Sequence, residues 1–154
     1  MQTFLPYWDF TLTAKCLDYK RLGKQRVEAW QIYQIVSGRR TTGGWINHPA
    51  VKMWKGYPDY LAKYYNEMLR EWIYRGYNNT MKPISLSDSG LIQPSWFGDD
   101  QLRYSHRSNL LRKDYDFYKQ YNWSIPSDLA YYWPEEENPK YNKDSEMLDH
   151  IAQL

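Results

Sequence analysis

Between Pro58 and Gly76 the chain carries Leu61, Tyr65, Met68 and Trp72, large side chains at steps of four, three and four. Only an α-helix brings that spacing onto one face, so the stretch predicts a helix with a core-facing stripe. Pro58 suits the first helical position, and Gly76 suits the end. The same punctuation divides the rest of the chain. Asp9 to about Leu17 reads as a short helix with Asp9 as its N-cap. Asp18 to Ser37 reads as a longer one whose buried side includes Val27, Trp30 and Ile35. Gly23 inside that helix is unfavourable by about 1 kcal/mol relative to Ala, which implies close approach to a neighbour.

RRTTGG, residues 39–44, is a basic loop, and Asn47 is placed to cap a short helix starting near Pro49. Residues 77–98 are irregular. Asp99 or Asp100 then begins a helix through SHRSNLLRKD, followed by a helical or turn segment near Phe117 and a packed loop from Trp123 to Pro134. No segment alternates as a strand would, and there is no internal repeat. The expected architecture is all-α: a compact single helical domain over residues 1–134, with irregular connections and an acidic C-terminal extension over residues 135–154.

Charge narrows the partner class. The net charge of +2 conceals a net of −4 on residues 135–154, which leaves +6 on the body. The bases concentrate at residues 15–40 and 103–113, a distribution suited to a polyanion. Tyr outnumbers Phe by 16 to 4, so many rings carry a polar handle for wet interfaces and stacking. Cys16 is the only cysteine, which excludes an internal disulfide and a cysteine zinc cluster. There is no apolar run of membrane-spanning length and no signal-peptide layout, so a soluble, cytoplasmic protein is expected.

Three stretches hold chemically capable side chains. In RLGKQRVEAW, residues 21–30, Glu28 is the lone acid among Arg21, Lys24 and Arg26. Steps of about 100° gather Arg21, Gln25, Glu28 and Ile32 near one face, a stripe running from polar to apolar. Glu28 is either an exposed i,i+4 partner of Lys24 or a catalytic group where a polyanion docks. In WINHPAVKMWKGY, residues 45–57, His48 sits between Trp45 and Trp54 as a capping, core or pocket histidine. In SHRSNLLRKD, residues 105–114, His106 and Asn109 share a helix face, while Arg107 and Arg112 are candidate phosphate contacts alongside Arg103. No metal-ligand spacing, nucleotide-binding glycine loop or serine-nucleophile elbow occurs, so neither metal nor organic cofactor is expected.

MQTFLPY, LDYKRLGKQRVEAWQI, NHPAVKMWKGYPDYL, LREWIYRGYNNT, SHRSNLLRKDYDFY and LAYYWP, in that order, resemble the pyrimidine-dimer DNA glycosylase family, often called phage endonuclease V, and in particular its bacterial and phage branch. The resemblance implies an all-α fold threaded by its N-terminal segment. It implies removal of a damaged pyrimidine from duplex DNA followed by nicking of the backbone, by a monomer. The family nucleophile is the α-amine of the mature first residue, assisted by a glutamate on the first long helix. An α-amine, with a pKa of about 7.7–8.0 against about 10.4 for lysine, is far more often neutral near pH 7.

Carried over, the resemblance makes Met1 the nucleophile, since Gln2 is too large for efficient methionine removal. The position of the family glutamate falls on Arg21 in one register and on Gly23 in another, so Glu28, roughly one to two turns further along, is the candidate to take its place as the catalytic acid. Arg26 matches a family arginine. Arg21, Lys24, Arg26, Arg107 and Arg112 are then the expected DNA contacts, with Trp45, His48, His106 and Asn109 at the pocket. The rivals are a non-catalytic DNA-binding module on the same fold and an enzyme processing a different base or nucleotide.

Overall fold

The computed structural model describes residues 1–86 and 91–134, and the expected acidic extension lies outside them. Every regular element among the described residues is helical, as the sequence predicts. They fall into two units, Met1–Phe97 and a second beginning at Gly98.

The first unit is built on α1 (Phe10–Cys16), α2 (Tyr19–Val36), α3 (Pro49–Lys52) and α4 (Pro58–Tyr74). Asp9 and Asp18 cap α1 and α2 through their carboxylates, satisfying N–H groups that a helix start leaves open. At α3 the cap is His48, not Asn47: its Nδ1 accepts from the Ala50 N–H at 3.0 Å. The proline at the first helical position fixes the register, and that makes residue 48 the cap. Gly76 follows α4 at φ +85°, a left-handed end to the helix.

The predicted stripe holds, since Leu61, Tyr65, Met68 and Trp72 are all buried on α4, which packs against α1 and α2. Arg75 ties the unit together, its guanidinium donating to the carbonyls of Ala14, Lys15 and Leu17 at the end of α1. The buried face of α2 differs from the predicted one. It is formed by Leu22, Gln25, Ala29, Ile32 and Tyr33, whereas Val27 is 38% exposed. The buried face includes Gln25 because residues 2–4 of the chain lie against it and meet its amide.

Gly23 makes the close approach expected of it. A Cβ there would stand 2.9 Å from Cζ3 of Trp72. That ring has little room to retreat: Tyr19 stacks on it, the Arg26 guanidinium lies 4.4 Å from its centroid, and Nε1 is bonded to the Asn78 carbonyl at 2.8 Å.

The second unit contains α5 (Asp100–Lys113), α6 (Tyr115–Tyr118) and a 3₁₀ turn, Lys119–Tyr121, ending on Asn122 at φ 55°. Asp99 caps α5. Ser105, Ser108 and Arg112 of α5 bond to the backbone of residues 127–132, which packs this loop onto the helix as anticipated.

Gly23→Ala weighs a helix-propensity gain of about 1 kcal/mol against an overpacking penalty of about 1–3 kcal/mol. With Trp72 boxed in, the penalty wins. Urea unfolding is expected to show net destabilisation, where an unhindered site would be stabilised.

Candidate active site

The first five residues enter the unit as an extended segment, with Gln2, Thr3, Phe4 and Leu5 buried. An extended strand carries unpaired N–H and C=O groups, and burying them requires partners. Here one side chain of α2 supplies two. The Gln25 amide accepts from the Phe4 N–H at 2.8 Å and donates to the Gln2 carbonyl at 2.9 Å. Trp54 donates through Nε1 to the Thr3 hydroxyl at 3.0 Å, and the Tyr64 hydroxyl bonds to the Phe4 carbonyl and the Gln25 amide oxygen. Burial, and next the charge of Glu28, raise the Tyr64 hydroxyl well above the usual tyrosine range, so it stays protonated as a donor.

The register so fixed places the chain's first residue at Glu28. The Gln2 N–H donates to Glu28 Oε2 at 3.2 Å, and Gln25 Nε2 donates to the same oxygen at 3.2 Å. Only three covalent bonds separate the Met1 nitrogen from the Gln2 nitrogen. Standard backbone dimensions therefore hold it within about 7 Å of that carboxylate oxygen. Met1 is half-buried, as is Glu28. No ion pair joins Lys24 to Glu28 among the described residues, so the acid turns inward to the N-terminal segment instead of forming the surface pair.

At 3.6 residues per turn, Arg21 and Lys24 lie within about 40° of Glu28 around α2. Arg21 bonds to Asp18 at 3.2 Å, and Lys24 is exposed. Arg26 is about 160° away by the same measure, on the other flank of the helix. There it stacks on Trp72 and donates to Asn79 Oδ1 at 3.0 Å. Of the two positions where the family acid is expected, residue 21 shares the flank of Glu28, while residue 23 faces Trp72 and has no space for a carboxylate.

Trp45 is exposed and meets the half-buried His48 edge to face at 5.3 Å. Trp54 and Trp96 belong to the core, the latter bonded to the Met53 carbonyl.

The other candidates are in the second unit. The Arg107 guanidinium lies 5.3 Å from the Trp123 ring centroid, and Arg112 donates to the Ser127 and Leu129 carbonyls and to Asn109 Oδ1. Asn109 and His106 are buried. Burial alone lowers His106 to about 3, which keeps the ring neutral. Sequence reasoning missed Gln25 and Tyr64 as the groups that seat the N-terminus. The available signal was a glutamine phased with the apolar side of an amphipathic helix.

A family model described as pyrimidine dimer DNA glycosylase matches residues 1–85, which include Met1, Glu28 and all of α1 to α4. The chain belongs to that family. No curated protein and no solved structure matches it. Membership assigns it to a DNA glycosylase family, with DNA as the substrate class. The match stops before α5, so His106, Arg107, Asn109 and Arg112 fall outside it. Among the described residues no helix is long and apolar enough to cross a membrane, and no group of three or more His, Cys, Asp or Glu could hold a metal ion.

Two outcomes follow from these contacts. Gln25→Leu strips partners from the buried Gln2 carbonyl and Phe4 N–H, at about 1–3 kcal/mol for each group left unsatisfied. A loss of about 3 kcal/mol in urea unfolding is expected, together with faster hydrogen exchange at Phe4. His106 has its folded-state pKa below the unfolded value of about 6.5, so unfolding takes up a proton once the pH is below 6.5. Stability is then expected to fall by up to about 1.4 kcal/mol per pH unit from pH 6.5 down to about 3, and His106→Gln should flatten that slope.

Proposed function

We propose that this protein is a DNA glycosylase with an associated abasic-site lyase activity on damaged or modified pyrimidines. The observation that supports this reading best is the hydrogen bond from the Gln2 N–H to Glu28, which keeps the Met1 nitrogen within about 7 Å of that carboxylate oxygen. The neutral amine attacks C1′ of the damaged nucleotide, and the bond from C1′ to the base breaks with the electron pair leaving on the base. The sugar ring then opens, O4′ takes a proton, and C1′ and the amine nitrogen are joined as a protonated Schiff base.

Glu28 acts twice in this scheme. As a carboxylate it stabilises the positive charge that develops at C1′, a role carboxylates fill in glycoside cleavage. It then removes a proton from C2′. The electrons of that C–H bond form the C1′–C2′ double bond of an enamine-like species, and the C3′–O3′ bond breaks with the 3′ phosphate as leaving group. Water hydrolyses the Schiff base and returns the amine. Gln25 is the positioning residue, since it holds both Gln2 and Glu28.

Arg21 and Lys24, on the flank of Glu28, serve as phosphate contacts. Arg21, through Asp18, and Arg26, Arg107 and Arg112 already engage protein groups, so any grip they add to DNA competes with those contacts. Exposed Trp45, edge to face with the half-buried His48, offers a ring for a displaced base.

The test is borohydride reduction in the presence of abasic-site duplex DNA, with the mass of the N-terminal peptide recorded. A covalent adduct on Met1 is expected, together with a fall of about 100-fold or more in strand cleavage for Glu28→Gln. No adduct on a demonstrably free amine, with salt-sensitive binding retained, would establish the non-catalytic DNA-binding module instead.

A further inference from the structure

The flank of α2 turned away from Glu28 carries a second feature. A cleft of about 550 Å³ opens there, with Trp30, Tyr33 and Tyr65 among the rings that line it and Arg39 and Lys82 as its cations. Trp30 lies about 160° around α2 from Glu28, so this cleft and the carboxylate face opposite sides of the helix.

The cleft is pre-formed. One wall is the strap of residues 80–85, and three side chains fix the backbone of that strap. Tyr65 donates to the Lys82 carbonyl at 2.7 Å. Asn66 pairs with both the N–H and the C=O of Ile84 at 2.8 Å. Asn79 bonds to both backbone groups of Met81. The aromatic floor is ordered too, with Trp30 and Tyr33 stacked at 29° and the Arg39 guanidinium 5.4 Å from the Tyr33 centroid. Arg39 and Lys82 are exposed, and no carboxylate lines the cleft among the described residues.

A partly exposed indole, Trp30, backed by the buried rings of Tyr33 and Tyr65 and flanked by two exposed cations, in a volume within the roughly 300–1,000 Å³ range of small-ligand sites, matches a planar heterocycle that carries an anion. We infer that this cleft binds one nucleoside monophosphate unit, its base against Trp30 and its phosphate between Arg39 and Lys82. The unit comes either from a free nucleotide or from a segment of single-stranded DNA. The inference rests on the chemistry of the cleft and stands apart from the Met1–Glu28 mechanism.

Calorimetric titration of the full-length protein with dAMP and with a lesion-free oligothymidylate tests it. The double variant Arg39→Gln/Lys82→Gln alters only exposed side chains. It should bind either probe about tenfold more weakly. With the oligonucleotide its salt dependence should also shrink by about 0.7 in log–log slope, the share of one neutralised phosphate on a single strand. Trp30→Leu should weaken binding by at least about fivefold through lost stacking. Neither probe carries a lesion or an abasic site, so binding here is read independently of the glycosylase mechanism. Tight dAMP binding without strand binding would identify a free nucleotide as the source, and the reverse would identify DNA. Absence of binding by both probes, or affinities unchanged in the cation and Trp30 variants, would overturn the proposal.

Discussion

The first unit depends on one buried amide. Gln25 reads an extended backbone as a neighbouring strand would, accepting from Phe4 and donating to Gln2, yet it does so from the side of a helix. A buried polar group is tolerated only when satisfied, and this one is satisfied solely in the register that brings residues 2 to 4 against α2. A slip of one residue would strand the amide, the Thr3 hydroxyl and the Tyr64 hydroxyl together. Chain register and the position of Met1 are therefore set by the same contacts.

The two flanks of α2 show how one helix separates tasks. One flank carries Glu28 with Arg21 and Lys24 nearby, all at least partly accessible. The other carries Arg26 and Trp30, and it meets the Trp72 ring and the strap that follows α4. Between them runs the apolar seam of Leu22, Ala29 and Ile32 against α4. Gly23 lets the helix sit close on Trp72, which brings α2 and α4 near enough for Tyr64 to reach Gln25 and Phe4. Core packing and site geometry are mechanically linked.

Much of this was legible in the chain itself. The cap at Asp9, the helix starts near Asp18 and Asp99, the proline at residue 58, the glycine at residue 76 and the stripe on α4 all act locally, and local physics is what a sequence displays. The buried face of α2 was misjudged at Val27, because the partner that decides it is the chain's own extended beginning, remote in sequence from the residues it covers. For α3 the residues offer both Asn47 and His48 as caps, and the register set by the proline decides for His48. Glu28 stood out only as an acid among bases. That it turns inward to a backbone N–H, away from Lys24, is a tertiary fact. The aromatic cleft was invisible for the same reason, being assembled from α2, α4 and a strap held in place by hydrogen bonds to its backbone.

Burial of the first five residues also orders events during synthesis. The Phe4 carbonyl finds its hydroxyl partner 60 positions later, and the Thr3 hydroxyl waits 51 positions for its indole. At about 5–20 residues per second, that leaves an apolar leading segment unmatched for several seconds behind the ribosome. A stretch made well ahead of its partners is thus among the last parts to settle, threaded into a framework that must already be half assembled to receive it.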